Sequence, residues 1–123
     1  MKNPPRILIA DRNPHVRAFI QREMIKYGYQ VRLARDGRDL FGWIDHAGAV
    51  DLLVLDPELP DAEGTHLLEQ VCSRCPDLPI VLHTDSEKFS RGQFRQGVVT
   101  VGKSGSSIEK LIQVICGMLP VAH

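Results

Sequence analysis

The sequence predicts an α/β protein built on one doubly wound, five-stranded parallel sheet. Short apolar runs rich in β-branched residues alternate five times with amphipathic helical patterns. Each connection between successive runs is long enough to contain a helix, which is the crossover that parallel strands require. The third run is apolar throughout its middle, as expected for a central strand that is covered on both faces. We therefore expect right-handed crossovers and helices on both faces of the sheet.

The first two strand and helix units have clear boundaries. A strand over 6–10 is followed by a helix for which Asn13 is the predicted N-cap, and a proline at the first helical position supports that start. A second strand is expected over 29–34. Asp36 and Gly37 then open a second helix, because apolar residues recur after them at helical spacing. Both units fit the alternation of an α/β fold.

The remaining three strands are expected over 51–56, 79–83 and 98–101. A helical pattern follows the first and the last of them. The segment 86–96, between the last two strands, has few apolar residues and contains a glycine, so we expect a short or mobile helix there. The residues Ser-Ser-Ile-Glu at 106–109 form a capping box that opens the last helix.

Length and charge restrict the classes of function. The chain has 123 residues and a mass of 13.8 kDa, which fits a single domain over 1–123 without an effector domain. Fifteen basic residues balance fifteen acidic ones, so no net field attracts a nucleic-acid backbone or an anionic membrane. No apolar stretch approaches the roughly 18 residues that span a bilayer, and the N-terminus lacks a signal-peptide pattern. We expect neither nucleic-acid binding by this domain nor a membrane association.

The three cysteines favour a reducing compartment. An odd number of cysteines in a chain without a secretory pattern argues against a disulfide framework, so we expect a cytoplasmic protein. Cys72 and Cys75 form a C-x-x-C pair, but a structural zinc site needs four ligands and the sequence has no second pair. We expect Cys72 to be a buried thiol on the same helix face as Leu68.

Four polar residues follow predicted strands at their carboxyl ends: Asp11, Asp56, Thr84 and Lys103. Ligands of open parallel sheets bind beyond these ends, so we expect the four side chains to lie at one edge of the sheet. A carboxylate there can act as a nucleophile, and two carboxylates can hold a divalent cation. A hydroxyl and an ammonium group can bind further oxygens. The set is suited to binding a phosphoryl group.

Several segments of the chain match the motifs of one family. They are 7–11 with 14–17, 34–37, 51–56 with Leu59, Pro60 and Gly64, 79–81 with Thr84, and finally Lys103. Through these segments the chain resembles the response-regulator receiver domain of two-component signalling over essentially its whole length. The resemblance implies the strand order 2-1-3-4-5 and a role in phosphorelay signal transduction.

The resemblance also implies a role for each site residue. Asp56 would be the phosphoacceptor, while Thr84 and Lys103 would contact the phosphoryl group. Asp11, Asp56 and the backbone carbonyl of Glu58 would bind Mg²⁺. Such a domain is not an enzyme beyond autocatalytic phosphotransfer and dephosphorylation, and its partners would be a histidine kinase or phosphotransfer protein and a downstream protein. From the residues alone, Asp11 could instead serve only to cap the helix that follows it.

Four positions depart from the family's pattern. Arg12 stands where the family usually has a second metal-binding acid, so we expect weak magnesium binding. Thr100 replaces the aromatic residue that reports phosphorylation, and Ser104 replaces a proline after the lysine. Asp85 stands where a small residue usually follows the threonine. We expect Arg12, Asp85 and Thr100 to modulate the site.

These observations leave two hypotheses from different classes. The first is a receiver that accepts a phosphoryl group on Asp56 and passes a conformational signal to a partner. The second is a pseudo-receiver, which binds its partner independently of phosphorylation. Arg12 and Thr100 favour the second hypothesis, whereas the four polar residues at the strand ends favour the first.

Overall fold

A computed structural model describes residues 3–46, 50–62, 64–90, 94–105 and 107–121 of the chain. Strands and helices alternate throughout these residues. In chain order they are β1 (Arg6–Ala10), α1 (Pro14–Lys26), β2 (Gln30–Ala34), α2 (Gly37–Ile44), β3 (Leu52–Leu55), α3 (Gly64–Arg74), β4 (Ile80–His83), α4 (Glu87–Ser90), β5 (Val98–Val101) and α5 (Ser107–Met118).

The five strands form one parallel sheet in the order β2-β1-β3-β4-β5, which confirms the predicted fold class and strand order. Their register brings the carboxyl ends level with one another. Ala10 pairs with both Ala34 and Leu55, Leu55 pairs with Leu82, and Leu82 pairs with Thr100. The residues that follow β1, β3, β4 and β5 therefore emerge at one edge of the sheet.

Helices cover both faces of the sheet. Successive strand residues point to opposite faces, so each strand contributes side chains to the packing on both. In β1, Ile7 and Ile9 pack toward α1 and α5, whereas Leu8 and Ala10 pack toward α2, α3 and α4. On the side of α1 and α5, the helix residues of the core are Ile20, Met24, Leu111 and Ile115. On the side of α2, α3 and α4, they are Leu40, Leu67, Leu68, Val71 and Phe89. Each face of the sheet thus has its own apolar core. The two cores hold the sheet, and with it the edge at which the strands end, in place between the helices.

The first two helices begin where the sequence predicts. Asn13 caps α1, and its side-chain oxygen accepts hydrogen bonds from the backbone N–H groups of His15 (2.8 Å) and Val16 (3.3 Å). Asp36 caps α2 by accepting the backbone N–H of Asp39 at 2.8 Å. None of the helices in the described part of the chain has the length and hydrophobicity needed to cross a bilayer.

The described residues of the segment between β4 and β5 include one short helix, as the composition of the segment predicts. Within it, α4 is a single turn of four residues, and Phe89 anchors this turn in the core. Residues 91–93 lie outside the described residues. The capping box predicted at 106–109 begins with another residue outside them, so that prediction stays open.

Cys72 corrects one expectation from the sequence. The thiol is free and only partly buried, although Leu68, one helical turn earlier, is buried. Val71 points directly into the core, and successive residues on a helix are turned by about 100° from one another. The side chain of Cys72 consequently lies at the margin of the buried face of α3 and not at its centre.

Candidate functional site

Asp11 and Asp56, here called the acidic pair, lie side by side at the carboxyl ends of β1 and β3. Ala10 and Leu55 pair in the sheet, so the residues that follow them are neighbours. The backbone N–H of Asp56 donates to the carbonyl of Ala10 at 2.8 Å, which continues the strand pairing to the site. Each side chain of the acidic pair is only 2% exposed. Two buried carboxylates that lie side by side are stabilised by a nearby cation.

Lys103 supplies that cation. Its Nζ lies 3.0 Å from Oδ2 of Asp11 and 3.4 Å from Oδ2 of Asp56. Lys103 is the second residue after β5, and its side chain crosses from there to the carboxyl ends of β1 and β3. The ammonium group of Lys103 therefore contacts both members of the acidic pair, as expected from the position of these residues at one edge of the sheet.

Backbone N–H groups hold the remaining carboxylate oxygens. Oδ1 of Asp11 accepts from the N–H of Asn13 at 2.9 Å, and Oδ1 of Asp56 accepts from the N–H of Glu58 at 3.0 Å. A longer contact of 3.4 Å joins the N–H of Arg12 to Oδ2 of Asp56. Asp11 thus supports the helix start, as its alternative interpretation proposed, and contacts Lys103 with its other oxygen. The two roles are compatible.

The guanidinium group of Arg12 lies close to two acids of the site. Its Nε is 3.7 Å from Oδ2 of Asp56, and its NH1 is 3.6 Å from Oε2 of Glu58. The side chain is 54% exposed, and that of Glu58 is 46% exposed, so water screens their pairing. The contact with Asp56 is in keeping with the expectation that Arg12 modulates the site. The additional pairing with Glu58 was not anticipated.

Thr84 follows β4 at the same edge and is buried. Its backbone N–H donates to the carbonyl of Val101 at 3.0 Å, which extends the pairing of β4 with β5 by one residue. Its hydroxyl oxygen accepts the N–H of Ser86 at 3.1 Å. A hydroxyl that accepts such a bond can still donate its own proton to another acceptor.

Thr100 and Asp85 bond to the segments around them. The hydroxyl of Thr100 donates to the backbone carbonyl of Phe89 at 3.1 Å and so ties β5 to α4. The exposed carboxylate of Asp85 accepts hydrogen bonds from the loop that carries Lys103. These bonds, chiefly that from the N–H of Lys103, hold the pKa of Asp85 below its usual value.

His83 is a buried polar residue of the site region and directly precedes Thr84 in the sequence. It is 4% exposed, and neither ring nitrogen has a hydrogen-bond partner among the described residues. Burial, and next the positive charge of Lys103, lower the pKa of its imidazole. The ring borders a cavity of about 230 Å³ between α1 and α5 that Lys103 also lines.

The oxygen donors of the site suit a hydrated Mg²⁺ ion. Among the described residues, no three His, Cys, Asp or Glu side chains are grouped so that they could hold a metal ion. Mg²⁺ usually keeps several waters and binds through one or two carboxylates, which is the number that the acidic pair supplies. The guanidinium of Arg12 lies within 3.7 Å of one of these carboxylates, and its charge opposes a cation there.

Comparison with known proteins identifies the family. A family model described as the response regulator receiver domain matches residues 7–104. The chain belongs to the receiver domain family. As a receiver domain it is a component of two-component signalling, and the resemblance seen in the sequence is confirmed. Receiver domains in general accept phosphoryl groups, bind Mg²⁺ and interact with histidine kinases or phosphotransfer proteins.

Two relatives are longer regulators. The DNA-binding transcriptional regulator NtrC of Rhizobium meliloti is 32% identical over 83 residues, which cover 68% of this chain and 17% of NtrC. The response regulator MprA of Mycolicibacterium vanbaalenii is 36% identical over 87 residues, which cover 71% of this chain and 37% of MprA. The receiver domain thus matches well under half the length of these relatives.

Solved structures share the fold over nearly the whole chain. The response regulator TrrA from Thermotoga maritima, in complex with Mg(2+)-BeF, has a TM-score of 0.81 and 24% identity, covering 94% of this chain and 99% of TrrA. The receiver domain of the hybrid histidine kinase CckA has a TM-score of 0.74 and 26% identity, covering 93% of this chain and 98% of that one. At 24% identity, the similarity to TrrA shows only that the two proteins share a fold.

Proposed function

We propose that this receiver domain accepts a phosphoryl group on Asp56 from a phosphohistidine of a histidine kinase or phosphotransfer protein. The observation that carries the proposal is the contact of 3.4 Å between Lys103 Nζ and Oδ2 of Asp56 at the end of the central strand. An ammonium group in that place can bind an oxygen of the incoming phosphoryl group.

In the proposed step, a carboxylate oxygen of Asp56 attacks phosphorus, so that a P–O bond forms while the P–N bond of the phosphohistidine breaks. Lys103 and the hydroxyl of Thr84 bind the phosphoryl oxygens as charge moves onto them. Asp11 and Asp56, with the backbone carbonyl of Glu58, would hold Mg²⁺. When bound, the ion neutralises charge on the phosphoryl oxygens.

We further propose that magnesium binds weakly, because Arg12 brings a positive charge to the place where the family usually has an acid. The same guanidinium can contribute to neutralising a phosphoryl group on Asp56, since it lies on the open side of the site. The domain, which we place over 1–123 and in the cytoplasm, would then pass its signal to a protein partner and not to nucleic acid.

The pseudo-receiver alternative has less support. It draws on Arg12 and Thr100, which depart from the family's pattern, and on the guanidinium that covers the site. However, the carboxylate of Asp56 and the ammonium group of Lys103 remain in contact, and two relatives are named as a DNA-binding transcriptional regulator and a response regulator. A module used only for constitutive binding has no need of this contact.

The test is phosphorylation of the purified protein by acetyl phosphate and magnesium, followed by intact-mass measurement. We expect wild type to gain one phosphoryl group, which Asp56→Asn abolishes because an amide is a far weaker nucleophile. Asp77→Asn is the matched control, since Asp77 is an exposed acid beyond α3. No added phosphoryl mass in wild type would favour the pseudo-receiver, and labelling of Asp56→Asn would point to another acceptor.

A further inference from the structure

One carboxylate oxygen gathers the loop that carries Lys103. Oδ1 of Asp85 accepts the backbone N–H of Lys103 at 2.7 Å, the backbone N–H of Ser104 at 3.1 Å and the hydroxyl of Ser104 at 3.2 Å. Three donors on two consecutive residues therefore converge on a single acceptor atom. Hydrogen bonds to a charged acceptor are stronger than those between neutral groups.

The strand pairing makes this contact possible. His83 pairs with Val101 at the ends of β4 and β5, so Asp85 and Lys103 each lie two residues beyond a paired position. Gly102 gives the carboxylate room, because a Cβ at that position would lie 3.1 Å from Oδ1 of Asp85. The hydrogen bonds to Asp85 thus hold the loop backbone next to the end of β4 at the residue that carries the lysine side chain.

Two of the departures from the family's pattern contact one another here. Asp85 stands where a small residue is usual, and Ser104 stands where a proline usually follows the lysine. A proline would remove the N–H that Ser104 donates and would fix the backbone by its ring. In this chain, side-chain hydrogen bonds supply the restraint on the same backbone.

We propose that Asp85 is the positioning residue of Lys103, holding the 103–104 backbone so that the ammonium group reaches Asp11 and Asp56. The inference rests on the proposed function for its catalytic consequence. It assigns to this side chain the restraint of a backbone segment in which the family's pattern has a proline. Asp85 does not itself touch the acidic pair in this arrangement; it acts through the backbone of Lys103.

The first test observes the lysine directly. Side-chain ammonium signals in a proton–nitrogen correlation spectrum are retained only for lysines whose Nζ is held in place, and Lys103→Gln assigns the signal of interest. We expect the Lys103 signal to be present in wild type and in Asp85→Asn, whose amide oxygen still accepts from the loop. We expect it to be lost in Asp85→Ala, while Asp77→Ala, which removes an exposed acid elsewhere, leaves it unchanged.

The second test measures the rate of phosphorylation by acetyl phosphate. Asp85→Ala should slow the reaction about ten-fold, and Asp85→Asn should restore most of the rate. A loss of the ammonium signal in Asp85→Ala without phosphorylation of wild type would uphold the positioning role and reject the proposed function. An unchanged signal together with an unchanged rate in Asp85→Ala would overturn the positioning role itself. Equal slowing by Asp85→Asn and Asp85→Ala would also reject it, because the acceptor would then not matter.

Discussion

The Nε atom of Arg12 lies 3.7 Å from Oδ2 of Asp56, the same oxygen that Lys103 approaches to 3.4 Å. One carboxylate oxygen therefore faces two cationic side chains. Lys103 is largely covered by protein, whereas Arg12 is exposed and able to swing away. We expect the exposed cation to be the one that competes with a metal ion for the carboxylate.

Replacing Arg12 with an acid should strengthen magnesium binding. Arg12→Asp changes the local charge by two units and adds an oxygen ligand, so we expect about ten-fold to a hundred-fold tighter binding after allowing for solvent screening. Titration of magnesium with amide chemical shifts as the readout measures both affinities. Arg22→Glu makes the same change in charge on the exposed face of α1 and should leave the affinity within about two-fold. Wild-type binding as tight as that of Arg12→Asp would mean that Arg12 does not oppose the metal.

His83 should make the protein less stable in mild acid. Its pKa is lowered in the folded protein, mainly by burial, whereas the unfolded chain keeps a value near 6.5. Protonation therefore favours the unfolded state, so the free energy of unfolding is fully retained above about pH 6.5 and declines as the pH falls below it. Urea unfolding at several pH values measures this slope.

His83→Phe removes the titrating group and should flatten that slope. The variant also removes two buried nitrogens that lack partners among the described residues, and the adjoining cavity can accept the larger ring. His66→Gln is the control, because it removes an exposed histidine from another part of the chain. A slope in His83→Phe equal to that of wild type would assign the acid sensitivity to other groups.

Thr100 should couple β5 to α4. Thr100→Val keeps the shape of the side chain but removes the hydroxyl that donates to the carbonyl of Phe89. We expect faster amide hydrogen exchange in α4, by about five-fold to ten-fold for one lost hydrogen bond. We also expect a smaller change in exchange around Phe89 when a beryllofluoride phosphoryl mimic is added. Unaltered exchange in α4 would show that this bond does not hold the helix, and a mimic response confined to Thr100 would contradict the coupling.

Two glycines should respond oppositely to alanine. Gly28 has φ of +96° after α1, and a Cβ there would lie 3.3 Å from Cγ1 of Val121, so Gly28→Ala should lower the free energy of unfolding by about 1–2 kcal/mol. Gly42 lies within α2 with open space around its Cα, and Gly42→Ala should raise it by about 0.5–1 kcal/mol. Urea denaturation compares the two. A neutral Gly28→Ala would mean that the turn adapts without strain.

The fold could be predicted because its signals are local. Apolar runs, a capping residue such as Asn13 and the helix-length connections each lie within a short stretch of sequence, and the parallel topology follows from them. The placement of Asp11, Asp56 and Lys103 at one edge also follows, since the carboxyl ends of parallel strands share an edge. Their chemical roles stay predictions.

The finer contacts of the site could not be predicted. The bonds from Asp85 to the 103–104 backbone span 18 and 19 residues and depend on the register of β4 and β5, which no pattern in the chain encodes. The pairing of Arg12 with Glu58 depends on the rotamer of a long exposed side chain. The ring nitrogens of His83 have no hydrogen-bond partner among the described residues. This depends on which polar groups the fold brings near the ring, and the sequence does not show them.

The acidic pair and the guanidinium above it differ in their contact with water, and this makes the salt content of the medium an input to the site. Dissolved ions screen exposed charges over about 8 Å at physiological ionic strength, but they reach buried pairs far less. Added potassium chloride should therefore loosen Arg12 from Glu58 while Lys103 stays on Asp11. The rate at which Asp56 accepts a phosphoryl group would then follow the ionic strength of the surrounding fluid, with no change in any residue.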